Sequence, residues 1–352
     1  MRAVGLLGLV LAAVLAGLAV PAGAGAVTVG IADQKPGFFT DPNFRDLQVR
    51  HARYVVPWDI LADPYQVQEM DRWLDAAREA GVTPLMTFGH SRREGHRKDR
   101  PTTTRLRREF VRLRARYPWI TDWAAWNEPN HCSQPLCHRP ELAARYFDTI
   151  RRACKECRVL AAEVLDMPNM VSWVRRFRRE AKVEPKFWGM HNYIDANRFR
   201  TSGTRKLLRA TKGEIWLTET GGIVKRRTRV RVPMPESTAH AAKATRWLFD
   251  RLIPISKRIT RVYLYHWNPS TRRDTWDSAL VSIDGRPRAA LRVLRNRLVR
   301  IRAAEARRDA QRQTGASGVP GPVAAPPPAG APEPVPAAPE PAPAPAPAPV
   351  AP

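Results

Sequence analysis

Short apolar runs alternate with longer amphipathic runs between residues 27 and 302 of the chain. Eight of the short runs are rich in β-branched and aromatic residues, which is typical of buried strands. These eight runs begin at residues 27, 49, 82, 120, 157, 186, 214 and 260. Six longer runs predict helices, at residues 64–80, 102–117, 140–154, 169–182, 236–255 and 286–302. The alternation indicates the α/β class.

One predicted helix shows the amphipathic pattern clearly. Met70, Trp73, Leu74 and Ala77 follow the spacing i, i+3, i+4 and i+7, so these four side chains share one face. Gly81 comes shortly afterwards and predicts the end of the helix. A helix with one apolar face is expected to pack that face against a sheet.

Eight strands with intervening helices predict a (β/α)8 TIM barrel that forms a single catalytic domain over residues 27–302. The alternative is an open doubly wound sheet. A glycine-rich phosphate loop after the first strand would favour that alternative, and residues 27–37 contain no such loop. Two connections, at residues 36–47 and 198–211, show only weak helical character.

The N-terminal residues 1–26 are typical of a signal peptide. Arg2 is their only charge, an apolar stretch follows, and small residues precede the expected cleavage near Ala24 or Ala26. We therefore expect a secreted or extracytoplasmic protein of the cell envelope, with no transmembrane segment after cleavage. An uncleaved N-terminal anchor is the alternative.

The C-terminal region differs in composition from the domain. Residues 303–314 are basic and predict a helical extension or a linker. Residues 315–352 are almost entirely Pro, Ala, Gly and Val, which predicts a disordered, polyproline-like tail. The tail is either a spacer through a cell envelope or a solvated segment with no task.

The composition excludes some classes and leaves one question open. The 352 residues are 43% hydrophobic, so the chain can bury a core and is not disordered throughout. The net charge is +26, but the arginines are spread over many helices, so we do not expect a nucleic-acid partner. Attraction to acidic envelope polymers or acidic polysaccharide is a second interpretation. A merely solvated, arginine-rich surface is the favoured one. The basic loop at residues 225–231 follows the seventh predicted strand and could contact a substrate, so an anionic glycan stays open as the substrate.

Two glutamates follow strand-forming runs, at the positions where a parallel barrel carries its chemistry. Glu128 lies in Asn127-Glu128-Pro129 after the fourth run, and Glu219 ends the seventh. Each glutamate alone could cap a helix or pair with an arginine. Together, two carboxylates on distant strands can act on one glycosidic bond from two sides.

These motifs resemble the clan of retaining glycoside hydrolases with (β/α)8 barrels, which includes cellulases, mannanases and xylosidases. The resemblance covers residues 27–302. It implies that Glu128 is the acid/base and Glu219 the nucleophile of a double displacement. The carboxyl groups of such a pair lie about 5–5.5 Å apart, whereas a gap beyond roughly 6.5 Å indicates inversion.

The resemblance also implies roles for polar residues on other strands. Arg53 would hydrogen-bond the nucleophile and stabilise its charge. Tyr193 would donate to the same carboxylate. His191 would line the cleft near the acid/base, and His90 would be the counterpart of a histidine that follows the third strand in the family.

Sugar-binding residues are implied in the same way. Asn127 would hydrogen-bond the sugar 2-hydroxyl, and Trp267 would form an apolar platform beneath the sugar. Trp58 and Trp276 are expected on the cleft wall, since aromatic faces stack on sugars. The sequence around Glu219, Thr-Glu-Thr-Gly-Gly, differs from the Gly-Glu-Phe-Gly run of the cellulase branch, so the family within the clan and the sugar stay open.

The leading hypothesis is a secreted retaining glycosidase that cleaves β-glycosidic bonds of a poly- or oligosaccharide and uses no cofactor or metal. A catalytically silent, glycan-binding barrel of the cell envelope is the alternative. A basic nucleic-acid-binding protein leaves the paired glutamates unexplained. A zinc or thiol enzyme is the fourth hypothesis.

The four cysteines form two close pairs. Cys132 and Cys137 have a histidine on either side, which suggests zinc, but in an exported protein a disulfide is favoured. Cys154 and Cys157 have the spacing of a redox motif, but they lie between a predicted helix and the next strand. A second structural disulfide is therefore favoured, and pairing between the two sets stays open.

Overall fold

A computed structural model describes residues 27–227 and 233–316, with side chains described up to residue 311 in the second range. The predicted signal peptide lies outside the described residues. The predicted tail also lies outside them, apart from its first two residues.

Eight parallel strands close into a barrel in chain order, which confirms the predicted (β/α)8 fold. The barrel strands are β1 (Thr28–Ala32), β2 (His51–Pro57), β3 (Thr83–Gly89), β4 (Asp122–Ala124), β5 (Arg158–Leu165), β6 (Phe187–His191), β7 (Glu214–Thr220) and β9 (Ile259–Tyr265). Two further strands, β8 (Lys225–Arg226) and β10 (Trp276–Asp277), pair with each other in antiparallel fashion.

Helices connect the barrel strands. The α-helices are α1 (Pro42–Leu47), α2 (Pro64–Glu79), α3 (Thr103–Arg116), α4 (Pro140–Ala153), α5 (Met170–Glu180), α6 (Tyr193–Asn197), α7 (Ser202–Ala210), α8 (Thr238–Trp247) and α9 (Ala289–Ala316). Short 3-10 segments lie at Pro36–Thr40, Ile60–Ala62 and Ile253–Ile255, and a π-turn lies at Leu248–Leu252.

Three helical segments differ from the sequence prediction. The two connections with weak helical signals contain α1 and α7, because packing stabilises short helices that propensity alone does not. The helix predicted at residues 236–255 ends early as α8 and continues as the π-turn and a 3-10 turn that contains Pro254, whose ring cannot enter a helix interior. The last helix, α9, runs through residues 303–314, where the sequence left a helical extension or a linker open.

Helix α2 shows how the local sequence sets its limits. The Asp63 carboxylate accepts a hydrogen bond from the backbone N–H of Gln66 at 3.2 Å, and Pro64 occupies the first turn. The four apolar residues predicted on one face are all buried. Gly81 follows with φ +64°, a left-handed conformation that glycine adopts without strain.

The apolar core has two parts. A large cluster lies between the barrel and its helices, and a smaller one takes one residue from each of six strands. The smaller cluster contains Ala32, Leu85, Ala124, Leu160, Trp216 and Tyr263. Next to it, the Arg261 guanidinium lies 3.9 Å from the Trp216 ring centroid and 2.7 Å from the Asp122 carboxylate, so its charge is compensated.

The barrel belongs to a compact unit that ends at Arg307. A second unit begins at Arg308, and its described part is the last segment of α9. Among residues 27–227 and 233–316, no helix combines the length and apolar character needed to cross a membrane.

Candidate active site

Glu128 and Glu219 meet at the carboxyl end of the barrel. Glu128 follows β4 with φ +46°, a left-handed conformation that is uncommon outside glycine, and Glu219 lies near the end of β7. One side-chain nitrogen of His191 and one carboxylate oxygen of each glutamate all lie within 4.8 Å of one another. The two carboxylates therefore border one small volume.

Both glutamates line a cavity of about 370 Å³. Its wall is largely apolar, with a few polar groups. The other lining residues are His131, Leu165, Asp166, Met167, Pro168, Tyr193, Ile194, Arg226, Met234, Tyr265 and Trp276.

Arg53 on β2 organises the base of the site. Its Nη1 donates to the Glu219 carboxylate at 2.9 Å, and its Nη2 donates to the Asn127 side-chain oxygen at 2.6 Å. Its Nε donates to the Glu163 carboxylate at 3.0 Å. The Tyr193 hydroxyl donates to the second oxygen of Glu219 at 3.1 Å, so one donor within β2 and one at the start of α6 position that carboxylate.

Glu163 was missed by the sequence analysis, which considered only the ends of strands. It is fully buried inside β5 and also accepts from the Thr87 hydroxyl at 2.9 Å. Burial opposes its charge, but the Arg53 guanidinium and hydrogen bonds from His191 and Arg53 outweigh burial and lower the pKa of Glu163 to about 2. A charged residue in the middle of the apolar run Leu-Ala-Ala-Glu-Val-Leu was the available signal.

We expect Glu163→Gln to reduce the free energy of unfolding by roughly 3–5 kcal/mol, because it leaves part of the buried Arg53 charge without a counter-charge. Urea unfolding measures the change. Asp284→Asn is the matched control: Asp284 pairs with Arg272 in an exposed ion pair, and its loss should cost less than about 1 kcal/mol. Equal effects from the two variants would contradict the structural role of Glu163.

His191 lies between the carboxylates at the end of β6. Its Nδ1 is 2.9 Å from Glu128 Oε1, and its Nε2 is 3.6 Å from Glu163. Burial alone would lower the pKa of His191, but the charge of Glu219 and hydrogen bonds to Glu128 and Glu163 raise it to about 9. Burial raises the pKa of Glu128, and its hydrogen bond to His191 more than offsets this, so that the net shift is downward. Near neutral pH, the proton shared by this pair therefore resides on His191.

Asp166 is a further acid in the cavity. Its carboxylate accepts the backbone N–H of Asp195 at 2.9 Å. Burial and the nearby charge of Asp195 raise the pKa of Asp166 to about 7. Asp166 therefore keeps its proton in the folded protein up to a higher pH than in the unfolded chain, where the carboxyl releases it at pH ~4. The stability that this proton provides is complete below pH ~4 and is lost as the pH rises through about 7.

We expect Asp166→Asn to raise the free energy of unfolding by roughly 2–4 kcal/mol at pH 8 and to leave it nearly unchanged at pH 4. Thermal unfolding at the two pH values tests this. Asp75→Asn changes an exposed carboxyl on α2 and should have little effect at either pH. A gain that is the same at pH 4 and pH 8 would contradict the role of proton binding.

The aromatic wall differs from the prediction. Trp276 lines the cavity, and its ring packs edge-on against Tyr193 at 4.9 Å between centroids. Trp267 is buried, its Nε1 donates to Asp41 at 2.8 Å, and its ring packs on Phe44. The predicted sugar platform at Trp267 is therefore wrong. Strand β9 ends at Tyr265, two residues earlier, and this is the residue of the strand that faces the cavity.

Two other predicted contacts are also absent from the described cavity. Trp58 is buried beneath the guanidinium of Arg105, 4.7 Å from its ring centroid, so it does not form a cleft wall. His90 donates from Nδ1 to the backbone carbonyl of Ser91 at 2.8 Å, and it does not line the cavity. Both residues follow strands that lead toward the site, but the chain turns their side chains into other contacts.

The cysteines form two local disulfides, Cys132–Cys137 and Cys154–Cys157. The first disulfide lies in the loop that follows Glu128 and begins four residues after that glutamate. The structure agrees with the favoured disulfide in this loop, and cysteines that are paired in this way do not serve as zinc ligands. The second pair lies at the C-terminal end of α4, whereas redox motifs lie at the start of a helix. This position favours a structural disulfide.

Two carboxylates that meet at the carboxyl edge of a closed parallel barrel are the arrangement expected of a glycoside hydrolase catalytic core. The comparisons agree: a family described as the glycosyl hydrolase catalytic core matches residues 114–293, and the chain belongs to this family. A comparison with curated proteins finds no match.

Solved structures share the fold at low identity. An exo-beta-1,4-mannosidase from Opitutaceae bacterium strain TAV5 aligns with a TM-score of 0.56 and 15% identity over 77% of this chain and 59% of that chain. A GH10 endoxylanase from a sugarcane soil metagenome aligns with a TM-score of 0.56 and 14% identity, over 77% of this chain and 96% of that chain. A GH5_18 structure from Streptomyces cattleya aligns with a TM-score of 0.55 and 16% identity, over 80% of this chain and 81% of that chain. The chain spans 63% of the length of a family 39 glycoside hydrolase from Bacteroides cellulosilyticus WH2.

Proposed function

We propose that the protein is an exported glycosidase that cleaves β-glycosidic bonds of a poly- or oligosaccharide with retention of configuration. The observation that carries this proposal is the closeness of the Glu128 and Glu219 side chains, whose nearest oxygens lie within 4.8 Å in one cavity. Retaining enzymes need this closeness, because the second carboxylate itself attacks the sugar and no water must fit between them.

The different surroundings of the two carboxylates support different roles. Glu219 accepts hydrogen bonds from Arg53 and Tyr193, which aim its oxygens and leave it as the nucleophile. Glu128 contacts His191, which holds an exchangeable proton. The acid/base role therefore falls to Glu128, supplied with its proton by His191.

In the first step, a Glu219 oxygen attacks the anomeric carbon and the bond to the leaving oxygen breaks. Glu128 protonates that oxygen and is itself protonated by His191 across their 2.9 Å hydrogen bond. Bond formation consumes the charge of Glu219, which is the strongest of the influences that raise the pKa of His191, so proton release accompanies the attack.

In the second step, water attacks the glycosyl-enzyme. Glu128 accepts the water proton and passes it to His191, and Glu219 regains its charge as the sugar leaves. The Asn127 side-chain oxygen is occupied by Arg53, so its amide nitrogen is the group that would donate to the sugar 2-hydroxyl.

Export is supported by the N-terminal residues and by two disulfides, which persist in oxidising compartments. The sugar itself is to be identified by assay. Both carboxylates line an accessible cavity, which favours catalysis over a silent binding barrel.

The proposal is tested by incubating the mature protein with a panel of aryl β-glycosides and β-linked polysaccharides. Proton NMR during the first minutes should show the β-anomer of the released sugar before it equilibrates. Early α-anomer would establish inversion instead. Sugar binding without release from any member of the panel would favour the silent barrel.

A further inference from the structure

A second cavity of about 430 Å³ adjoins the catalytic cavity. Met167 and Pro168 line both cavities, and Pro168 is exposed, so these two residues form the ridge between them. The far side of the ridge lies between helices α5 and α7. A polymer that leaves the catalytic cavity across the ridge enters this second cavity.

The second cavity is lined by cations. Four of its lining residues are basic: Arg175, Arg178, Lys206 and Arg209. Arg178 is neutralised by Glu184 at 2.6 Å and donates to the carbonyl of Ala210 at 2.7 Å, which ties α5 to the end of α7.

The other three cations, unlike Arg178, are not paired with a carboxylate among the described residues. These three, Arg175, Lys206 and Arg209, are exposed. Their charges therefore add in one concave surface instead of being compensated locally, and this surface attracts anions more strongly than scattered cations do.

The ridge does not repel an anionic chain at mildly acidic pH. Asp166 lies on its catalytic side, and burial raises the pKa of this carboxyl to about 7. Arg226 also lines the catalytic cavity, where it forms an ion pair with Glu236 at 3.9 Å. A protonated Asp166 therefore adds no negative charge to the catalytic side of the ridge.

We propose that this basic pocket, defined by Arg175, Lys206 and Arg209, binds carboxylate or sulfate groups of an anionic polysaccharide whose neighbouring residues occupy the catalytic cavity. The inference rests on the proposed function for the choice of a glycan, and it adds the substrate class: a polymer that carries regularly spaced negative charges. Neutral glycans have no group that would engage three uncompensated cations.

The test measures binding and not hydrolysis, so it is independent of whether the enzyme cleaves the probe. Three β-linked polymers are titrated into the full protein by calorimetry at 0.1 M salt: carboxymethyl-cellulose and sulfated cellulose, each paired with the neutral hydroxyethyl-cellulose. We expect binding to the charged member of at least one pair and at least about 10-fold weaker binding to its neutral partner. The pair that responds distinguishes carboxylate from sulfate recognition.

The decisive variant is Arg175→Gln/Lys206→Gln/Arg209→Gln. The matched control, Lys243→Gln/Arg246→Gln/Arg251→Gln, removes three exposed cations from a different helical region and lowers the net charge equally. We expect the pocket variant to weaken binding of the charged polymer at least about 10-fold and the control less than about 2-fold. Thermal unfolding verifies that both variants fold, and Lys206→Gln alone should give a smaller loss in the same direction.

Equal losses in the two triple variants would overturn the proposal, because they would show a general charge effect. Equal binding of charged and neutral polymers would overturn it as well. A pocket-dependent affinity for duplex DNA that exceeds the affinity for every anionic glycan would replace the glycan with a nucleic acid.

Discussion

Replacing Glu219 with alanine is expected to lower kcat/KM on aryl β-glycosides by at least about 10⁴-fold. The variant removes the atom that forms the covalent bond, and nothing in the described cavity stands within reach to replace it. Because Arg53 and Tyr193 then lose their common acceptor, stability changes are expected as well, so folding is verified by circular dichroism.

Replacing Glu128 with alanine should give a different signature. A leaving group such as 2,4-dinitrophenolate needs no proton, so the first step survives and the glycosyl-enzyme accumulates as a burst. Poorly activated glycosides, which need the acid, should lose about 10²–10⁴-fold in rate. Stopped-flow release of the phenolate measures the burst.

Azide separates the two roles without ambiguity. With Glu128→Ala, azide attacks the covalent intermediate and should yield the β-glycosyl azide. With Glu219→Ala, azide fills the vacated space, attacks the substrate directly and should yield the α-glycosyl azide. Glu141→Gln, on the outer helix α4, is the control and should stay within about 2-fold of the parent rate. Exchanged products would reverse the assignment of the two glutamates.

The order of strands and the position of both glutamates were predictable from the sequence. The reason is physical: the pattern of apolar residues that marks a strand is local in sequence, and every parallel barrel carries its chemistry at the carboxyl ends of its strands. Glu128 and Glu219 follow strongly apolar runs, so each could be placed without knowledge of any contact.

The failures arise where the outcome depends on contacts between distant parts of the chain. Trp267 and Tyr265 lie two residues apart after the same apolar run, and only the contacts of Trp267 with Asp41 and Phe44 put it in the core. Glu163 was overlooked because its partner, Arg53, lies 110 residues away in sequence. Its burial makes sense only once the barrel closes.

The strongest remaining prediction concerns the proton carried by His191. The pair formed by Glu128 and His191 must hold one proton for the first step, and in the parent protein that proton is lost as the pH rises through about 9. The basic limb of kcat/KM should therefore lie near pH 9 on substrates that need an acid.

His191→Asn tests this idea, because its amide can still donate to Glu128 but carries no titrating proton. Glu128 must then hold the proton itself. The pKa of Glu128 rises in this variant, because burial raises it and His191 no longer lowers it. The group that titrates near pH 9 in the parent protein, His191, is absent. We expect the basic limb to move to lower pH and the rate at pH 8 to fall by about 10²–10³-fold, with a smaller loss at pH 5. Tyr193→Phe, which removes a donor to Glu219 but no shared proton, should lower the rate without moving the limb. If the basic limb of His191→Asn stays near pH 9, the proton of the first step does not come from His191.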